Sequence, residues 1–111
     1  MDIYDIWVDL APGATDMELV NAVQNWLDHL QSHGGISTYR ITRRKLGFGP
    51  EGLGEFHIAI EAESLAQLDE AFHHAATRSP EVESLHREVY TRVTNYKSGL
   101  WRDFPGNERN K

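Results

Sequence analysis

Glu55-Phe-His-Ile-Ala-Ile-Glu-Ala-Glu63 runs without a break into Ser64-Leu-Ala-Gln67, and the change of pattern between the two stretches decides the fold. In the first stretch Phe56, Ile58, Ile60 and Ala62 fall on one side, and Glu55, His57, Ala59, Glu61 and Glu63 fall on the other. A period of two marks a strand with one buried face. In the second, Ser64 with Gln67 three residues on forms a capping box, whose side chains satisfy free backbone donors and so open a helix. Leu65, Leu68, Phe72 and Ala75 or Ala76 continue as a helical stripe that ends near Arg78, and Ser79-Pro80 interrupts it. Val82, Leu85 and Val89 resume the helical spacing to about Thr91. Val93 to Asp103 then reads as extended, with Tyr96, Leu100, Trp101 and Phe104 as its bulk.

Upstream, the same alternation places Tyr4, Ile6, Val8 and Leu10 on the core side of a strand from Asp2 to Leu10, with Ile3, Asp5, Trp7 and Asp9 opposite. Ala11-Pro12-Gly13-Ala14 breaks it. Thr15 and Glu18 form a capping box, and Leu19, Val20, Val23, Trp26, Leu27 and Leu30 recur at helical spacing until Gly34-Gly35 supplies the left-handed stop. Ile36 to Leu46 reads as a second strand, rich in β-branched and aromatic residues, and Gly47 to Gly54 as a glycine-rich hairpin loop. The order is β-α-β-β-α-(α)-β, an α+β ferredoxin-like sandwich with its helices on one face of a four-stranded antiparallel sheet. Residues 1–105 form one domain in this reading, and 106–111 a polar, flexible tail.

In that topology the first and third strands lie side by side, so the polar side of one continues into the polar side of the other. Pairing Leu46 with Glu55 across the loop predicts Arg44 opposite His57, Thr42 opposite Ala59 and Arg40 opposite Glu61. The sheet face away from the helices then carries Asp5, Trp7, Asp9, Arg40, Thr42, Arg44, His57, Ala59 and Glu61. A wholly solvated face has no use for Ile3 and Trp7, so something is expected to cover it.

The 111 residues contain no cysteine, which excludes a disulfide scaffold, a thiolate metal site and a cysteine nucleophile. Eleven basic against seventeen acidic residues give a net charge of −6, unfavourable for a phosphate backbone. No stretch is apolar enough to span a membrane, and the N-terminus lacks the basic start of a signal peptide, so a cytoplasmic protein is expected.

The stretch from Tyr39 to Glu61, with Trp101-Arg-Asp-Phe-Pro105 near the end, resembles an uncharacterised bacterial family of the dimeric α/β-barrel superfamily. That superfamily includes antibiotic-biosynthesis-type monooxygenases, stress-responsive A/B barrel proteins and chlorite dismutases. The resemblance covers the chain from Met1 to Pro105 and implies a homodimer in which two protomers join their open sheet faces. It implies an activity far less, because these folds host unrelated chemistries.

Gly47-Phe-Gly-Pro-Glu-Gly52 matches G-x-G-x-x-G in letters, but it leads into a strand rather than a helix, so it reads as a hairpin loop and not a dinucleotide site. The βαββαβ order is shared with RNA-recognition modules, yet the third strand offers Glu55, His57 and Ala59 where such modules stack bases on aromatics. His29 and His33 stand at metal-chelating spacing without an evident third ligand, and they read as surface residues favoured near a helix C-terminus. His73 and His74 diverge by about 100° on a helix. His86 reads as a surface or dimer-edge residue.

The expected function is binding of a small, aromatic or anionic molecule in the barrel interior or a sheet-to-helix cleft. His57 is the candidate catalytic base, with Asp5, Trp7, Arg40, Arg44 and Glu61 as candidate ligand-binding residues. No cofactor is implied, and the sequence singles out no haem ligand. Resemblance suggests cofactor-independent oxygenation or a proton-transfer reaction. The alternative is a non-catalytic dimeric assembly or stress-response module, whose polar sheet face serves only to fix the dimer.

Overall fold

In the computed structural model of the protein, which describes residues 1–76 and 80–106, seven elements follow one another. They are β1 (Asp2–Leu10), α1 (Asp16–Ser32), β2 (Thr38–Arg43), β3 (Phe56–Ala62), α2 (Leu65–Ala76), α3 (Pro80–Tyr90) and β4 (Val93–Arg102). The sheet is antiparallel throughout with strand order β2-β3-β1-β4, the ferredoxin-like arrangement.

Each boundary has a local cause. Thr15 Oγ1 accepts from the Glu18 amide while Glu18 Oε1 accepts from the Thr15 amide, so both halves of the expected capping box form at the start of α1. Gly34 takes φ +76° just past the C-cap His33 and turns the chain toward β2. Ser64 Oγ accepts from the Gln67 amide at the start of α2, and Gln67 Oε1 reaches back to the Glu63 amide. In β4, Asn95 adopts φ +53° where the β1–β4 register shifts between Trp7 and Asp9, a bulge that bends this edge strand.

The core lies between the sheet and α1, with Ile6, Val8, Phe56, Ile58 and Ile60 from the strands against Leu19, Val23, Trp26, Leu27 and Leu30 from the helix. Val89 of α3 closes it at one end. Gly54 lets β3 begin close against β1, since a Cβ added there would lie 2.3 Å from the carbonyl carbon of Val8.

The hairpin register differs from the expected one by two residues. Thr42, not Arg44, lies opposite His57, and Arg40 lies opposite Ala59, not Glu61. The second strand is correspondingly shorter than the expected Ile36 to Leu46. The last ladder bond runs from the Arg44 amide to the Glu55 carbonyl at 2.7 Å, and Leu46 then takes φ +56°, which no continuing strand allows. A shift of two preserves the period of two, so every residue of β2 keeps its face. The expectations for the side chains of Phe72, His74, Ala75 and Ala76, for Arg78 and Ser79, and for residues 107–111 of the tail lie outside the described residues.

Truncating a large buried aromatic leaves a cavity and costs about 3–5 kcal/mol. Trp26 is 6% exposed in the middle of the α1 stripe. Trp26→Ala is therefore expected to lower the urea midpoint more than Thr42→Ala on the open sheet face, and equal midpoints would contradict this packing.

Candidate functional site

The face of the sheet that the helices do not cover takes alternate residues of all four strands. β1 and β3 pair with Trp7 opposite His57 and Asp5 opposite Ala59, which sets the two rings side by side. Their centroids are 4.9 Å apart with planes 6° from parallel, a stacked pair. His57 Nε2 donates to Asp5 Oδ1 at 2.6 Å, and Asp5 is nearly buried. From β4, Trp101 meets Trp7 edge-on at 5.9 Å. Trp101 reaches this position by lying over Gly99, where an added Cβ would come within 2.2 Å of its ring. Asp9 ties three strands together at one end of the face, its carboxylate accepting from Asn95 Nδ2 and from the Glu55 amide. Those bonds hold its carboxyl below the ordinary carboxylate range.

The residues expected at a site divide between two depressions on this face. Asp5, Arg40 and Glu61 line one of about 540 Å³ together with Ile3 and Trp101. Trp7, Arg44 and His57 line another of about 150 Å³ under the glycine loop, against Phe48 and Leu53. The Asp5–His57 bond joins the two. Arg44 is turned into the loop, where its guanidinium donates to the carbonyls of Leu53 and Gly54.

On the helix side of the same strands, where a sheet-to-helix cleft was one of the two expected places, lies a cavity of about 320 Å³ whose lining the residue pattern did not single out. Its inner wall is the buried apolar set Ile6, Val8, Trp26, Ile58 and Val89, and its rim is Tyr90, Tyr96 and His86. The Tyr4 hydroxyl, on β1, is hydrogen-bonded to the Tyr96 hydroxyl on β4. Burial and this bond push the Tyr4 phenol up to about 12. Tyr39 is also pushed up to about 12, by burial and by donating to Asp28 Oδ1 at 2.6 Å. His86 retains exposed surface as expected, yet its ring packs 5.2 Å from Trp26 and 5.4 Å from Tyr90. Desolvation there holds the imidazole below its usual value, which favours the neutral ring. Trp26 buries its Nε1 with no hydrogen-bond partner among the described residues. Unpaired buried donors are rare enough to mark a place of interest.

His29 and His33 lie 4.3 Å apart, ring to ring, with Glu81 Oε1 3.8 Å from His29 Nδ1. Among the described residues no group of three potential ligands is placed to hold a metal ion, and no helix is long and apolar enough to cross a membrane.

A family of unknown function, DUF6614, matches residues 1–111. This chain belongs to that family. No curated protein matches the sequence. Among solved structures, an Arabidopsis thaliana protein is similar with a TM-score of 0.76 at 6% identity, over 96% of this chain and 99% of that one. A dimeric ferredoxin-like protein of unknown function from Jannaschia sp. CCS1 is similar at 0.67 and 11% identity, over 93% and 100%. A cofactor-independent oxygenase from Streptomyces nogalater is similar at 0.55 and 13% identity, over 95% of each chain. At such identities the likeness is one of fold.

The sequence held one signal for the cavity. Val82, His86 and Val89 share a face of α3 at i, i+4 and i+7, so a histidine stands in an apolar stripe. A void, by contrast, has no sequence signature.

The two raised phenols make stability depend on pH. Below pH ~9 both are neutral in either state. Above it the unfolded chain loses protons that the folded chain keeps, so the folded state loses ground as pH rises toward about 12. Urea midpoints are expected to fall between pH ~9 and ~11.5, and the Tyr4→Phe, Tyr39→Phe double variant to flatten that fall. An unchanged slope in the double variant would assign the loss to other groups.

Proposed function

We propose that this protein is a homodimer that binds a small molecule in the cavity between its sheet and helices. The observation that carries the reading is the cavity itself, about 320 Å³ with an apolar inner wall and hydroxyl and imidazole groups near its mouth. Ligand sites are mostly apolar hollows of ~300–1,000 Å³ with a few convergent polar groups. The chemistry such a wall supports is proton transfer, with His86 as the acceptor and no carboxylate among the lining residues to compete. A cofactor-independent, oxygenase-like reaction belongs to this proposal, and the name of the Streptomyces relative lends it support.

The dimer part rests on the open face. Trp101 is 56% exposed there, Trp7 and Ile3 are only half-buried, and Phe48 and Leu46 at the overhanging loop are about four-fifths exposed. An apolar set of this extent calls for a cover, and the dimeric description of the Jannaschia relative favours a second copy. A stable pairing would bury ~1,600 Å² in total.

Val89→Phe fills the cavity from α3. It is expected to weaken binding of 2-acetylnaphthalene at least tenfold while leaving the dimer intact, and unchanged affinity would remove the cavity from consideration. Light scattering at micromolar concentration should give twice the chain mass of 12.7 kDa. A monomer would defeat the dimer.

The Asp5–His57 bond of 2.6 Å favours a second reading, in which His57 is the base and Trp7, Arg40 and Arg44 hold an anionic ligand on the open face. The non-catalytic alternative assigns the same residues to interface geometry alone. His57→Ala separates the three. Lost ligand binding with an intact dimer supports the open-face site, and a weakened dimer, by about 1–3 kcal/mol for the unpaired Asp5, supports the interface role. No change in either property leaves the helix-side cavity as the site.

A further inference from the structure

Resting on the helix-side cavity as the binding site, we propose that its ligand is an uncharged molecule of about two fused rings, and that the site rejects anions and cations of the same shape.

Size comes first. An apolar cavity of ~150 Å³ holds one benzene ring. The cavity here is about 320 Å³, room for roughly twice that. Four aromatic side chains, Tyr4, Trp26, Tyr90 and Tyr96, supply faces and edges against which a planar molecule packs.

The charge argument follows from the wall. Its residues are Tyr4, Ile6, Val8, Trp26, Ile58, His86, Val89, Tyr90, Val93 and Tyr96, with no aspartate, glutamate, lysine or arginine. Burial pushes the Tyr4 phenol up to about 12 and favours the neutral form of His86. No lining residue therefore offers an opposite charge to a bound ion. An ion entering the hollow would give up hydration without a countercharge, the situation in which burial is most costly. Arg87, which is not among the lining residues, meets the Tyr90 hydroxyl and is already paired with Glu83 at 3.4 Å. Neutral polar groups on a ligand fare differently. The Tyr4–Tyr96 hydroxyl pair on the sheet and the His86 ring on α3 can each share a hydrogen bond with a carbonyl or hydroxyl at no cost in charge. The lining differs in kind from that of the open face, where the depressions are lined by the acidic and basic side chains Asp5, Arg40, Arg44 and Glu61.

Three probes of one shape test it at pH 7: 2-acetylnaphthalene, 2-naphthoate and 2-naphthylmethylammonium. Each is titrated into the full chain while the three indole N–H resonances are followed by NMR, so that Trp26 reports the cavity and Trp7 and Trp101 report the open face. The expected result is that 2-acetylnaphthalene shifts the Trp26 resonance and binds at least tenfold tighter than either ion. If 2-naphthoate or the ammonium shifts Trp26 with equal or greater affinity, the charge selectivity is overturned while the cavity stands as the site. If the probes move only Trp7 and Trp101, or none moves any resonance at millimolar concentration, the cavity reading falls and takes this inference with it.

Discussion

A four-stranded sheet has two faces, and among the described residues the helices cover only one. Everything else in the structure answers to that shortage. β1 and β3 sit in the middle, hydrogen-bonded on both edges, so each must present a usable surface on both sides. On the helix side that surface is Ile6, Val8, Phe56, Ile58 and Ile60, sealed by the α1 stripe. On the other it is a mixture of aromatic rings and charges held in a fixed pattern by the Asp5–His57 bond, the Trp7 stack and the bridging carboxylate of Asp9.

The helical layer does not reach evenly across even its own face. It covers β3 and β1 well, but the helix-side residues of β4 stay open, with Tyr96 and Leu100 both more than half exposed. The cavity forms at this margin, between the end of α3 and the β1–β4 pair. There Tyr4 and Tyr96 meet hydroxyl to hydroxyl across β1 and β4, and the space beside them is the cavity.

How much of this was legible in the sequence depended on whether a feature was periodic. The periodic patterns, such as the alternation in Phe56 to Ala62 and the stripe from Leu19 to Leu30, carry the element order and the sidedness of the first three strands, because a period is set by backbone geometry alone. The capping boxes located two helix starts for the same reason. The hairpin register was missed by two, since it turns on where an eight-residue glycine loop leaves the ladder, and Leu46 entering the left-handed region is not written in its neighbours. Parity survives that difference, so Arg40 and Thr42 keep the open face, while Asp5, Trp7 and His57 lie on β1 and β3, where the alternation alone brings them together. Arg44 was expected opposite His57 and instead binds loop carbonyls, a choice made by tertiary contacts. The cavity and the roles of Tyr4, Tyr96 and His86 depend on what is missing between elements, and a linear pattern records only what is present.

β1 is the partition between two compartments. Tyr4, Ile6 and Val8 look into the cavity while Ile3, Asp5 and Trp7 look out on the open face, residue by residue along one backbone. A side-chain change at any of these positions acts in one compartment. A change in the path of the strand, such as an inserted residue or a proline, acts in both at once, because shifting the chain by one position exchanges the two sets of side chains. The strand is therefore far less tolerant of insertion and deletion than of substitution, and the length of its run from Asp2 to Leu10 is constrained more tightly than its composition.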